Sequence, residues 1–153
     1  MGLEHEFYLI PKTVDVKDFW VHRGNSNDVI DRVVIQDDLI HYFSDSLQWI
    51  PSKNPSKPGN PKGHGINYYG ITLFDIEASM LIKGIFTSWR HLFTNAPDTF
   101  EITSDYVHGD KAQDRDYEKI FIKRNEVIKL LEKMISIADR LSEGNSYLFH
   151  CGV

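Results

Sequence analysis

Residues 63–97 constrain the fold of this chain more than any other segment. An apolar and β-branched run comes first, and a long segment with apolar residues at helical spacing follows it. We therefore predict a strand over residues 66–74 that leads into a helix capped by Asp75 and ended by Asn95-Ala96-Pro97. The predicted core-facing stripe of this helix consists of Met80, Leu81, Ile85, Trp89, Leu92 and Phe93.

Two further segments have helical spacing. The first begins at Asp37 and Asp38 and ends before Pro51, whose ring cannot continue a helix, which predicts a helix over residues 37–50. The second is predicted to start with Asn125 as its cap and to end at Gly144-Asn145. Its predicted core-facing residues are Val127, Leu130, Leu131, Met134, Ile135, Ala138 and Leu141.

The remaining apolar runs predict strands over residues 4–10, 99–107, 118–123 and 147–150. Residues 19–22 are a short strand candidate, and residues 29–36 fit either a strand or a helix, with their β-branched content favouring a strand. In the first strand Phe7 and Leu9 alternate with Tyr8 and Ile10, so we expect both faces of the sheet to be covered. Strands precede the first helix and do not alternate regularly with helices, which favours an α+β fold. We predict a single domain over residues 1–153, with a mainly antiparallel sheet of about five or six strands and three main helices packed on it.

Residues 51–65, PSKNPSKPGNPKGHG, are predicted to form a loop. Four prolines and three glycines prevent a helix or a strand from running through this segment. Its three lysines are not balanced by any acidic residue within it. A solvated loop is the favoured interpretation, and a contact with an anion or a partner is the alternative.

Composition limits the classes of function. The chain has 22 acidic and 17 basic residues and a net charge of −5, which argues against direct nucleic-acid binding. No apolar run approaches the ~20 residues that cross a bilayer, so we expect a cytoplasmic protein without a membrane partner. Cys151 is the only cysteine, which excludes an internal disulfide and a four-thiolate zinc site, and we interpret it as structural.

The sequence contains no familiar catalytic motif. It has neither a nucleophile elbow nor a phosphate loop, and no two of its seven histidines have the i, i+4 spacing of a zinc protease helix. We therefore predict no catalytic residue, no metal and no cofactor, and expect that the protein is not an enzyme. A small metal-dependent hydrolase with dispersed histidines and aspartates is the alternative, and a small-molecule sensor with residues 51–65 as its lid is another.

Acidic residues are densest between positions 98 and 118, where seven acids face two bases. The group of interest consists of Asp105, Asp110, Asp114, Asp116 and Glu118. A solvated turn explains this pattern most simply; an acidic partner-binding face and a metal site are the alternatives. Tyr68 and Tyr69 lie in the predicted strand, one on each sheet face, so one ring is expected to be available to a partner.

In overall character the chain resembles the immunity proteins of bacterial polymorphic-toxin and contact-dependent growth inhibition systems. The resemblance rests on NYYGITLFD at residues 67–75, on YLFHCGV at residues 147–153, and on an acidic αβ chain without catalytic motifs. It implies an inhibitor that binds a cognate toxin domain, often a nuclease, and covers its active site. The acidic group would then face the basic groove of the toxin, with Tyr68 or Tyr69 as a buried anchor.

Overall fold

The computed structural model of the protein describes residues 3–55, 63–107 and 116–153, with the backbone alone for residues 104–107 and 116–119. In these residues the strands are β1 (Glu4–Pro11), β2 (Asp31–Gln36), β3 (Pro51–Ser52), β4 (Gly63–His64), β5 (Ile71–Phe74), β6 (Thr99–Val107), β7 (Asp116–Lys123) and β8 (Ser146–Cys151). The helices are α1 (Phe19–His22), α2 (Asp37–Tyr42), α3 (Ser44–Leu47), α4 (Ile76–Phe93) and α5 (Arg124–Leu141).

An antiparallel four-stranded sheet organises the fold, with the strand order β2-β1-β8-β5. The two central strands, β1 and β8, pair so that Phe7 lies opposite His150 and Leu9 lies opposite Leu148. Beyond β5, Lys53 and Leu73 exchange two backbone hydrogen bonds of 2.8 and 2.9 Å, which protects this edge of the sheet. Antiparallel sheet and packed helices confirm the predicted α+β class.

Both faces of the sheet are buried, as the alternation in β1 predicted. Phe7 and Leu9 face the large core, which α2, α4 and α5 complete. On the opposite face, Tyr8 and Ile10 form a smaller cluster with Phe19, whose ring lies 4.9 Å from that of Phe149. The core helices and the segment that precedes β2 therefore cover opposite sides of one sheet.

The loop predicted over residues 51–65 is too long, because its ends form the paired strands β3 and β4.

Two predicted strands are wrong or too long. Residues 19–22 form the short helix α1 instead of a strand. Phe19 is the only residue of this helix that is buried, so the run does not have the alternating burial of a strand. The strand predicted over residues 66–74 is restricted to β5, because residues 67–70 form a turn in which the Gly70 N–H donates to the carbonyl of Asn67 at 3.1 Å. Asparagine and glycine are typical turn residues, and they override the apolar pattern here.

The helix predicted over residues 37–50 is two short helices, α2 and α3, which Phe43 separates. Phe43 is buried, and its carbonyl accepts a 2.7 Å hydrogen bond from the Ser46 hydroxyl. The predicted cap of α4 is confirmed, because the Asp75 carboxylate accepts from the Glu77 N–H at 3.0 Å. The predicted cap of α5 is wrong: this helix begins at Arg124 and its preceding residue makes no side-chain capping bond.

The long helix α4 buries a face that coincides only in part with the predicted stripe. Ile85 and Phe93 are buried as expected, and Trp89 is partly buried against the core. Three members of the predicted stripe are exposed instead, namely Met80, Leu81 and Leu92. The core takes four residues that were not predicted, namely Ala78, Ser79, Ile82 and Phe86.

The strands β6 and β7 form a separate antiparallel hairpin, whose register shifts between Thr103 and Tyr106. Its inner side is attached to the core through Ile102 and Ile122, whereas Phe121 is 70% exposed. None of the helices in the described part of the chain has the length and apolarity that a membrane span requires.

Candidate functional site

The turn at residues 67–70 is fixed to the segment that follows β8. The N–H of Gly152 donates to the Gly70 carbonyl at 2.7 Å, and the N–H of Val153 donates to the Tyr68 carbonyl at 3.0 Å. A Cβ at Gly152 would overlap the carbonyl of Tyr68, so only glycine permits this close approach. The two segments on which the sequence resemblance rests are thus neighbours in space.

Tyr68 belongs to a chain of hydrogen bonds that runs from the partly buried Asp37 to two fully buried histidines. Its hydroxyl donates to the carboxylate of Asp37, which lies in the first turn of α2. The same carboxylate oxygen lies 2.8 Å from Nε2 of His5, and Nδ1 of His5 lies 2.9 Å from Nε2 of His150. Both histidines are fully buried on the helix-covered face of the sheet.

The chemistry of the partners assigns one of the protons in this network. Because the Asp37 carboxylate only accepts, His5 donates to it from Nε2, and a second hydrogen bond joins Nδ1 of His5 to Nε2 of His150. Burial and the neighbouring His5 lower the pKa of His150 to about 3, which keeps this ring neutral at pH 7. Its Nδ1 lies 3.4 Å from the hydroxyl oxygen of Thr72, at the long end of the hydrogen-bond range.

This series of hydrogen bonds begins and ends at the turn of residues 67–70. The Thr72 oxygen accepts from the backbone N–H of Asn67 at 2.7 Å. Asn67 and Tyr68 are consecutive residues, so the buried chain fixes the turn from both sides of β8. A polar core network with all its groups paired gives a rigid structure rather than a reactive one.

Tyr69, by contrast, projects outward and is 80% exposed. Its ring packs edge-on against Tyr68, with 5.0 Å between the ring centroids. A cavity of about 460 Å³ lies beside it, lined also by Trp20 and Arg23. A second cavity of about 320 Å³ lies on its other side, and Asp37 and His41 contribute to its wall.

Arg23 is held in place by Glu6. Its Nε lies 2.7 Å from the Glu6 carboxylate, which also lies 3.3 Å from Arg32. Burial alone would raise the pKa of Glu6, but the hydrogen bonds from Arg23 and Tyr8 outweigh burial and lower it. The guanidinium beside Tyr69 therefore has a fixed orientation and a permanent ionised partner.

Cys151 reaches the floor of the larger cavity from the face opposite to His150. Burial raises the pKa of its thiol to about 11, so it stays protonated at neutral pH. This state agrees with the interpretation of Cys151 as a structural residue.

The predicted partner-binding residues do not share one surface element. Tyr68 and Tyr69 lie in a turn instead of on two faces of a strand, and they point inward and outward because the turn rotates the chain. Asp105, Asp116 and Glu118 belong to the β6–β7 hairpin, for which the backbone alone is described at these positions. Asp110 and Asp114 lie outside the described residues.

A second surface feature was missed because its residues were assigned to the core. Met80, Leu81 and Leu92 form the outer face of α4, and the indole of Trp49 lies across from them. Together they line an apolar groove of about 530 Å³ whose floor includes Gly84 and Ser88. The signal for it in the sequence was the number of apolar residues in α4, which exceeds what one helix face can bury.

Metal ligands do not cluster in the described residues, where no group of three or more His, Cys, Asp or Glu side chains is placed to hold an ion. Comparison with known proteins gives no relative: no family model matches the chain, and no curated protein or solved structure is significantly similar to it.

Proposed function

We propose that this chain is an immunity protein that binds a cognate bacterial toxin domain and neutralises it by covering its active site. The observation that carries the proposal is the surface around Tyr69, where Trp20, Arg23 and Tyr69 line one cavity. Tryptophan, arginine and tyrosine are the residue types that supply most of the binding energy at protein interfaces.

Rigidity of this surface supports a binding role. Tyr69 is mounted on a turn that two backbone hydrogen bonds fix to the segment 152–153, and Arg23 is oriented by Glu6. A side chain that is already ordered loses less entropy when a partner covers it. The exposed ring of Tyr69 therefore suits an anchor that inserts into a pocket of the toxin.

Charge supports a basic partner. With 22 acidic and 17 basic residues, the chain attracts a positively charged domain over long range, as the substrate groove of a nuclease would be. The proposed contribution of Asp105, Asp110, Asp114, Asp116 and Glu118 is to strengthen this attraction. Such an inhibitor acts in the cytoplasm, where the toxin reaches its substrate.

Growth rescue tests the proposal. The protein encoded beside this chain in its native genome is induced in a naive bacterial host, with and without this chain. The proposal predicts that toxicity is relieved when this chain is present and that both proteins elute together, one toxin domain per copy. A neighbour that remains toxic in the presence of this chain would contradict it.

The binding surface is tested with Tyr69→Ala and Trp20→Ala. Each is expected to weaken the complex by about 2 kcal/mol, roughly thirtyfold, as loss of an interface anchor does. Met80→Ala is the matched control, since this side chain is 72% exposed but belongs neither to the lining of the Tyr69 cavity nor to the proposed acidic group. Equal affinity of all three variants and the wild type would contradict the role of this surface.

A further inference from the structure

The outer face of α4 carries a group of large apolar side chains that the monomer does not bury. Met80 is 72% exposed, Leu81 44% and Leu92 49%, and Trp49 across the groove is 64% exposed. Exposed apolar side chains are normal when they are scattered, whereas a contiguous set that lines a groove is typical of an interaction surface.

Gly84 shows that the floor of this groove is not shaped by the packing of the monomer. A Cβ at this position would meet no atom within 4 Å. Glycine in a helix interior costs about 1 kcal/mol relative to alanine, so the absence of a side chain here has no benefit for the isolated fold. Close approach of another backbone is the structural use that such a position permits.

The groove carries no charge that would select a charged partner. None of the described residues that line it is acidic or basic. Two cations of α4, Lys83 and Arg90, are instead paired with Asp139 at 2.7 Å and Glu132 at 3.0 Å on α5. The Ser88 hydroxyl donates to the Gly84 carbonyl at 2.9 Å, so the floor also has its polar groups paired.

The residues along this face form a symmetric pattern. Met80, Gly84, Ser88 and Leu92 follow one another at intervals of four, and their order is large, small, small, large in either direction. If two copies of α4 meet antiparallel about a two-fold axis between Gly84 and Ser88, then Met80 faces Leu92 of the second copy. Gly84 then faces Ser88 of the second copy. We propose that the α4 groove is a two-fold interface that binds a second copy of this chain.

This arrangement follows the known rules of helix packing. Residues four apart form the ridges that interdigitate when two helices cross at about −50°. The two small residues lie at the crossing point, where the backbones come closest, and the larger side chains fill the space on either side. Trp49 then covers the flank of the second helix, and each contact occurs twice, as a two-fold interface requires.

Paired charge substitutions test the register as well as the dimer. In sedimentation equilibrium the wild type is expected to dimerise, and Met80→Lys or Leu92→Glu alone is expected to weaken association at least about tenfold. The double variant carries Met80→Lys and Leu92→Glu in the same chain, so each lysine lies opposite a glutamate of the second copy. It is expected to associate more tightly than either single variant. High salt is expected to remove this recovery.

Three controls show whether the expected changes in dimerisation arise at this interface. Positions 80 and 92 lie three helical turns apart, so the two charges cannot pair within one copy. Phe121→Glu charges an equally exposed ring on the β6–β7 hairpin and is expected to leave the dimer intact. Gly84→Ala is expected to weaken the dimer, because two methyl groups enter the crossing point.

The proposal is overturned by a wild type that is monomeric at every concentration. It is also overturned by single charge variants that dimerise like the wild type, or by a double variant that is no tighter than the single ones. The interface does not depend on the toxin-binding role, since Tyr69→Ala is expected to dimerise normally. A failed growth rescue therefore leaves the dimer measurement unaffected.

Discussion

The helices α4 and α5 have the same length, 18 residues each, and pack side by side, but they use their surfaces differently. One side of α5 is buried through residues such as Val127, Leu131 and Met134, and the exposed side is rich in charge. In α4 the buried side includes Ile82 and Phe86, but the exposed side carries Met80, Leu81 and Leu92 in addition to its charged residues.

This difference distinguishes surfaces that serve folding from surfaces that are available for association. The surface of α5 is accounted for by the monomer, since its apolar residues are inside and its charges are outside. In α4 the fold of the monomer explains the apolar residues of the buried side but not those of the exposed side. An apolar group that the fold leaves exposed is explained when another molecule covers it, and the symmetry around Gly84 and Ser88 is the reason why we propose a second copy.

The strongest test of the comparison is a pair of alanine substitutions on α4. Ile82→Ala removes a side chain that is 1% exposed and is expected to lower the free energy of unfolding by about 2–5 kcal/mol. Met80→Ala, on the outer face, is expected to change it by less than about 0.5 kcal/mol. Urea unfolding of dilute protein measures both values. Similar losses would show that the outer face belongs to the core.

The N-termini of the two helices differ as well, because Asp75 caps α4 whereas the residue before α5, Lys123, makes no side-chain capping bond. Asp75→Ala is expected to lower the free energy of unfolding by about 1 kcal/mol, and Lys123→Asp is expected to raise it by supplying the missing cap. Urea titrations of the three proteins measure these changes. An unchanged free energy of unfolding in the Asp75→Ala variant would contradict the role of the cap.

The effect of Asp75 is also expected to depend on pH. Burial raises the pKa of its carboxyl, but the hydrogen bonds from Lys53 and from the Glu77 N–H outweigh burial and lower it. A carboxyl with a lowered pKa stabilises the fold above its usual pKa of 3.8, and the stabilisation is lost as the pH falls through the lowered value. The difference between Asp75→Ala and the wild type should therefore shrink at acid pH.

Gly84→Ala is expected to act in opposite directions on folding and association. In dilute protein it should raise the free energy of unfolding by about 0.8 kcal/mol, because alanine favours the helix and its methyl group meets open space. Thermal unfolding at several protein concentrations separates this gain from the expected loss of dimer. A variant that is less stable in dilute solution would contradict the open position of this residue.

The smallest effect is expected for the ion pairs between α4 and α5. Lys83 and Asp139 lie 2.7 Å apart, and both side chains are about half exposed. A double-mutant cycle with Lys83→Gln and Asp139→Asn is expected to give less than about 0.5 kcal/mol, and less in high salt. A larger coupling would mean that charge, rather than the buried face of each helix, holds the two helices together.

The same two helices show how far the sequence predicts the fold. Every residue of the stripe predicted for α5 is buried or packed against the core, because the polar residues of this helix leave one choice of face. For α4 the predicted stripe also includes three exposed residues, Met80, Leu81 and Leu92, because apolar residues on both sides of this helix fit one periodicity. Only the positions of α5 and the sheet decide between them.

The surface around Tyr69 was predicted only in part. Exposure of one tyrosine was expected, but the turn that separates Tyr68 from Tyr69 depends on contacts with Gly152, which is far away in the sequence. Trp20 and Arg23 come to the same cavity because residues 19–22 are a helix and not the predicted strand. Such long-range contacts leave no local pattern in the sequence.

Oxidation of methionine tests the two-sided nature of α4 most directly. Met80 lies on its outer face and is 72% exposed, whereas Met134 on α5 is 1% exposed and serves as the buried reference. With hydrogen peroxide, Met80 is expected to oxidise readily in dilute protein and progressively more slowly as the protein concentration rises, while Met134 stays protected throughout. Oxidation of Met80 at the same rate at all concentrations, or its protection even in dilute protein, would contradict an outer face that is free in the monomer and covered in the dimer.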